Sequence, residues 1–210
     1  FHESRAFIDK LPDANPIESR SLIRMLSEQI EGFREGQFRE GATIDRYIRP
    51  IIFLVLDNFL WTAKIENTLE RYKLHYQPIS DLQAVIDRLT KLCNGLGGQL
   101  IVKPHPSCKE AKKLTYSKEV LYYTGNLPDV LRSADVVVGW NSKVLFNALA
   151  LEKPVICLGA IPVLATNACY SIEKLDDLDN VLTDALHHVG LEERLDSFSR
   201  KLPSLVSLQY

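Results

Sequence analysis

SADVVVGWNSKVLFNALALEKPVICLG, Ser133 to Gly159, is the stretch whose reading decides the fold. A β-branched run, Val136 to Val138, meets the turn Gly139-Trp140-Asn141-Ser142. An apolar helix follows, and then a second apolar strand from Pro154 that stops at Gly159. The pattern predicts strand, tight turn, helix, strand. A polar turn at the carboxyl end of a buried strand, opening directly into a helix, leaves backbone N–H groups free to meet an anion.

Working outward, Gln99 to Lys103 is a further predicted strand running into Pro104-His105-Pro106, and Val120 to Thr124 is another, followed by a short helix begun by Asn126 and Pro128. Ile51 to Leu56 is continuously apolar, as a strand buried on both faces requires. Ser80 and Gln83 form a capping-box signature for a helix with Leu82, Val85, Ile86, Leu89 and Leu92 on one face, ended by Gly95, Gly97 and Gly98. A short helix is expected around Ile65 to Tyr72. Another, carrying Leu175, Leu178, Val181, Leu182 and Leu186, precedes a polar, helix-prone tail. Strands alternating with helices at these spacings predict an α/β, Rossmann-like parallel sheet with helices on both faces.

Residues 1–48 read differently: Leu22, Ile23, Leu26, Ile30 and Phe33 mark an amphipathic helix behind a Pro-rich start. We expect residues 1–48 to be a helical appendage or linker, packing on the main domain or on a neighbour, and residues 49–210 to form the binding domain. The sequence begins at Phe1 rather than Met, as expected of a piece of a longer protein.

With 25 Lys and Arg against 27 Asp and Glu, the formal charge of −2 provides no electrostatic footprint for nucleic acid. The longest apolar run is too short to span a bilayer, and no signal peptide is recognisable. Cys93, Cys108, Cys157 and Cys169 form no CxxC pair and read as reduced packing residues, so a cytoplasmic location is expected.

In open sheets of this kind ligands bind beyond the carboxyl ends of the strands. The polar groups falling there are Asp57 and Asn58, Lys103 and His105, Gly125 and Asn126, and Trp140, Asn141 and Ser142. Cation, imidazole, hydroxyl and amide donors suit an anionic oxygen, whereas the carboxylate cluster of a magnesium cage is lacking. Neither GxGxxG after a strand nor GxxxxGK[ST] occurs. The expected ligand is a phosphate ester held without a dedicated metal or cofactor. Each residue also has a plainer reading. Ser142 can be simply an N-cap, Pro-His-Pro a rigid strand exit, Lys103 a snorkelling surface charge, and Trp61 and Trp140 packing residues.

Lys103-Pro-His-Pro106, followed by Trp140-Asn-Ser142 and Lys153-Pro-Val155, resembles the carboxyl-terminal Rossmann half of GT-B glycosyltransferases. Within these it is most similar to the capsule polysaccharide biosynthesis group with the bacterial Kdo transferases, and it shares the HP and Ser motifs of bacterial sialyltransferases. The resemblance covers roughly residues 50–188. It implies that His105 and Ser142 hold the phosphate of a CMP-sugar donor and that Asn126 and Leu127 lie near the base; Asn141 and Lys103, among the polar groups at the same strand ends, are expected on that phosphate as well. The position five residues beyond Ser142, a ribose-binding Glu in many relatives, is Asn147, and the usual glycine before Lys-Pro-Val is Glu152.

The function so implied is donor binding in a glycosyltransferase of surface polysaccharide synthesis, with a Kdo-like or sialic-acid-like sugar. The polysaccharide or glycolipid acceptor, the catalytic carboxylate and any peripheral membrane association would belong to a fuller protein with an amino-terminal domain. Three alternatives stay open: a CDP-glycerol glycerophosphotransferase domain, a sugar-nucleotide epimerase-like domain, and an inactive nucleotide-binding scaffold.

Overall fold

The structure is a computed structural model that describes residues 13, 15–32, 48–56, 81–105, 108, 110–140, 142–159 and 166–207. The helix expected at 65–72, together with Asp57, Asn58, Trp61, Ser80, Pro106 and Asn141, lies outside the described residues.

Strand β1 (Ile51–Leu56) is the centre of the molecule, and all of its side chains are buried. They divide by parity: Ile51, Phe53 and Val55 enter one core, Ile52, Leu54 and Leu56 the other. Strand side chains alternate between faces, so a strand with no polar position must be covered on both. Each such large side chain contributes about 1.5–3 kcal/mol by leaving water. On one side β1 pairs in parallel with β2 (Gln99–Pro104), which carries β3 (Val120–Tyr122). On the other it pairs with β4 (Val136–Gly139), which carries β5 (Val155–Cys157) and then β6 (Tyr170–Ser171). The order is β3-β2-β1-β4-β5-β6, all parallel.

Helices close both faces. The first core is covered by α1 (Pro16–Gly32), α3 (Leu127–Ser133), α4 (Lys143–Ala150) and α6 (Leu191–Ser207), through Leu22, Val130, Leu145, Phe146 and Phe198 among others. The second is covered by α2 (Leu82–Gly95) and α5 (Leu178–Leu186), through Val85, Ile86, Leu89, Leu178 and Leu182. Of the two placements open for the amino-terminal helix, packing on the main domain is the one seen: Leu22, Ile23 and Leu26 rest on the first core, and Ser27 Oγ donates to the Ala150 carbonyl at 3.3 Å.

The structure corrects several expectations. Helix α2 is capped by Asp81, whose carboxylate accepts the Ala84 amide at 3.0 Å, so Ser80 is not its N-cap. Gln83 instead bonds both main-chain groups of Thr115, at 2.9 and 3.0 Å. Strand β6 and the 3₁₀ turn Glu110–Lys113 were not expected. Segments of two and four residues are too short to show a hydrophobic period.

Candidate functional site

The chain builds outward from β1 to β2 and β3, then returns to the far side of β1 to lay down β4. The direction of winding therefore reverses between β1 and β4, and in such sheets the crevice opens beyond the carboxyl ends of those two strands. The register brings Val55, Lys103 and Gly139 level across β1, β2 and β4. The polar ends of β2 and β4 thus flank the crevice. They are not neighbours, however: β1 lies between them, so His105 and Ser142 start from backbones about two strand spacings, or ~10 Å, apart.

His105 follows β2 directly. Its amide donates to the Leu56 carbonyl at 2.8 Å and its carbonyl accepts the Cys108 amide at 2.8 Å, while the residue as a whole is exposed. Main-chain bonds therefore tie His105 to the end of β1 and to Cys108 at the carboxyl end of the sheet.

Gly139 ends β4. A Cβ there would stand 3.1 Å from Leu145 Cδ2 and 3.4 Å from the Val55 carbonyl, so this closeness of helix to strand suits glycine. Trp140 is fully buried in the second core, and its carbonyl accepts from Cys157 Sγ at 3.2 Å. With no exposed surface, it is a packing residue. Ser142, partly buried, is the N-cap of α4, with Oγ accepting the Val144 amide at 3.3 Å. The N-cap reading of Ser142 is therefore correct, and it coexists with a helix amino end aimed along the sheet edge. The first turn of α4 carries no acidic residue and begins with the exposed Lys143, a cation where the macrodipole is already positive. Sequence reasoning passed over Lys143, although a basic residue at a helix start was its signal.

Lys103 is not a surface charge. It is half-buried, and Nζ donates to the Gly125 carbonyl at 2.8 Å. Burial lowers its pKa from the usual lysine value. Asn126 caps α3 by conformation alone, without a side-chain bond to the helix, and Leu127 packs on the first core. Asn147 lies more than a turn inside α4 and is only 7% exposed, the least accessible of the expected ligands among the described residues. Among the described residues no three His, Cys, Asp or Glu side chains gather as a metal site, and no helix is long and apolar enough to cross a membrane.

A six-stranded parallel sheet in this order, covered by helices on both faces, is a Rossmann-like fold, and its likeness to solved structures makes it one half of a GT-B fold. Solved structures of one enzyme share this fold. The spinosyn rhamnosyltransferase SpnG with its spinosyn aglycone is 13% identical, with a TM-score of 0.53 over 81% of this chain and 46% of that one. The same enzyme with thymidine diphosphate is 13% identical, with a TM-score of 0.50 over 81% and 45%. KpsC from Thermosulfurimonas dismutans, a beta Kdo 2,4 transferase, is 16% identical, with a TM-score of 0.49 over 80% and 55%. At these identities the likeness is one of fold, and the chain spans about half the length of the solved structures it matches. No curated protein matches. The profile of the capsule polysaccharide biosynthesis proteins matches residues 80–194, more than half of the 210 residues. The chain belongs to that family.

Proposed function

We propose that this chain is the donor-binding half of a glycosyltransferase that uses a CMP-activated sugar, Kdo-like or sialic-acid-like, in the synthesis of a surface polysaccharide. The observation that carries the reading is the β1/β4 reversal: ligands of such sheets bind beyond the strand ends there, and the His105 turn and the Ser142-capped start of α4 follow the two strands on either side of β1. Breaking the bond between sugar and phosphate leaves negative charge on the departing nucleotide. Donors already aimed at that charge lower the barrier without reorganising. In this reading His105, Ser142 and Asn141 meet the phosphate, Lys143 adds positive potential to the same edge, and Lys103 stands behind the Gly125 turn. Asn126 and Leu127 lie by the base and Asn147 by the ribose. The acceptor and the catalytic carboxylate belong to an amino-terminal domain of the full enzyme, which works in the cytoplasm and requires no metal.

Family membership supports the polysaccharide assignment, and a similarly folded rhamnosyltransferase has been solved with a nucleoside diphosphate. Calorimetric titration with CMP, CDP, UDP and GDP tests the reading. CMP is expected to bind best. A preference for CDP would move the assignment toward transfer from a CDP-linked donor, and binding of none of the four would reject the donor site.

A further inference from the structure

Lys103 makes its contacts within the fold. Nζ reaches the Gly125 carbonyl at 2.8 Å and stands 5.4 Å from the centre of the Tyr123 ring, within cation–π range. Tyr123, 5% exposed, donates its hydroxyl to the Asn126 carbonyl at 3.0 Å. Gly125 makes the closure feasible, since a Cβ there would fall 2.6 Å from the Tyr123 ring. Two successive carbonyls, of Gly125 and Asn126, are thus held by two side chains that lie within cation–π range of one another, directly ahead of Leu127, the first residue of α3.

This arrangement has an orienting consequence. In a trans peptide the N–H points opposite to the C=O. With the carbonyls of 125 and 126 drawn toward Lys103 and Tyr123, the amides of Asn126 and Leu127 face the other side of the turn. A half-buried ammonium is costly to desolvate, and the carbonyl and the ring are what offset that cost here. The geometry resembles a clamp on the turn more than a charge held ready for solvent anions.

We propose that Lys103 is a positioning residue for nucleoside recognition, fixing the Gly125–Leu127 turn, and that it does not itself bind the donor phosphate. The nucleoside part rests on the donor-site reading above, whereas the clamp on the turn can be tested without any ligand.

Lys103→Met keeps the aliphatic stem and removes the donor and charge. In the ligand-free protein, amide exchange at residues 125–127 is expected to speed up by about tenfold in this variant, with β1 and β4 amides unchanged as the control for folding. Affinity for cytidine and for CMP is expected to fall by the same factor, at least about threefold, whereas His105→Ala should weaken CMP and leave cytidine alone. Unchanged exchange at the turn would overturn the clamp. A loss confined to CMP would make Lys103 a phosphate ligand and overturn the proposal. Faster exchange in a protein that binds neither cytidine nor CMP would reject the donor-site reading, and the nucleoside half of the proposal with it.

Discussion

Ser142 Oγ accepts the Val144 amide at 3.3 Å, a long bond for a helix cap. The hydroxyl therefore has both a structural and a ligand reading, and a substitution can separate them. Aspartate caps a helix as well as serine does and suits the positive amino end, whereas alanine costs about 1 kcal/mol. Ser142→Asp should leave urea unfolding unchanged or slightly more stable. It should also lower CMP affinity at least about tenfold, because a carboxylate repels a phosphate. A folded Ser142→Asp protein that binds CMP as tightly as the parent would remove Ser142 from the phosphate site.

His105 allows a cleaner cut. Its turn is held by main-chain bonds to Leu56 and Cys108, and the residue is exposed. His105→Ala should therefore keep the unfolding free energy within about 0.5 kcal/mol of the parent. CMP affinity should drop at least about tenfold, or ~1.4 kcal/mol, in a calorimetric titration. Unchanged affinity in the folded variant would reject the imidazole as a ligand.

The places of these two residues in the fold were legible because each rests on a local pattern. Ile51 to Leu56 has no polar residue and could only be a strand covered twice, while His105 and Ser142 each follow an apolar run that ends in a turn. What sits beside what was less accessible. That β1 separates β2 from β4 follows from the crossover, which periodicity does not encode. Lys103 looked like either a ligand or a surface charge because its partner, the Gly125 carbonyl, lies in another strand's turn. The cap of α2 went to Asp81 over Ser80, a choice between two competent residues that a one-residue shift in helix start decides. Strand β6 has two residues, too few for any alternation to show.

Docking of α1 makes a prediction of its own. Ser19 is 2% exposed, and its hydroxyl finds no hydrogen-bond partner among the described residues. A buried unsatisfied hydroxyl costs free energy, and alanine is also the better helix former. Ser19→Ala should raise the unfolding free energy by up to about 1 kcal/mol in chemical denaturation. A clear loss of stability would show that the hydroxyl is satisfied, and that α1 sits on α6 differently.

Surface pairing between α2 and α5 should matter less than its geometry suggests. Arg88 meets Asp179 at two points, 2.6 and 2.8 Å, but the side chains are 33% and 39% exposed. Solvent screening reduces such a pair to about 1 kcal/mol or less. Asp179→Asn should cost no more than that, and the deficit should shrink as salt is raised. A larger, salt-insensitive loss would mean that the pair is shielded by neighbouring chain.

The cysteines tie burial to pH. Cys93 packs in the second core, where burial pushes its thiol up to about 12, and burial likewise raises Cys169 well above the ordinary range. A thiol whose pKa is raised by folding keeps its proton longer in the native state than in the unfolded chain. Its contribution to stability is therefore complete below the unfolded value near 9 and is lost as pH climbs from there toward about 12. Between pH 7 and 8 both thiols stay neutral and buried, and a thiolate is needed for attack on a disulfide reagent. Cys93 and Cys169 should thus resist an aromatic disulfide reagent in the native protein and react fully in denaturant, with stability falling above about pH 9. Rapid native labelling of either residue at pH 8, located by mass spectrometry, would show that its core opens locally at low cost.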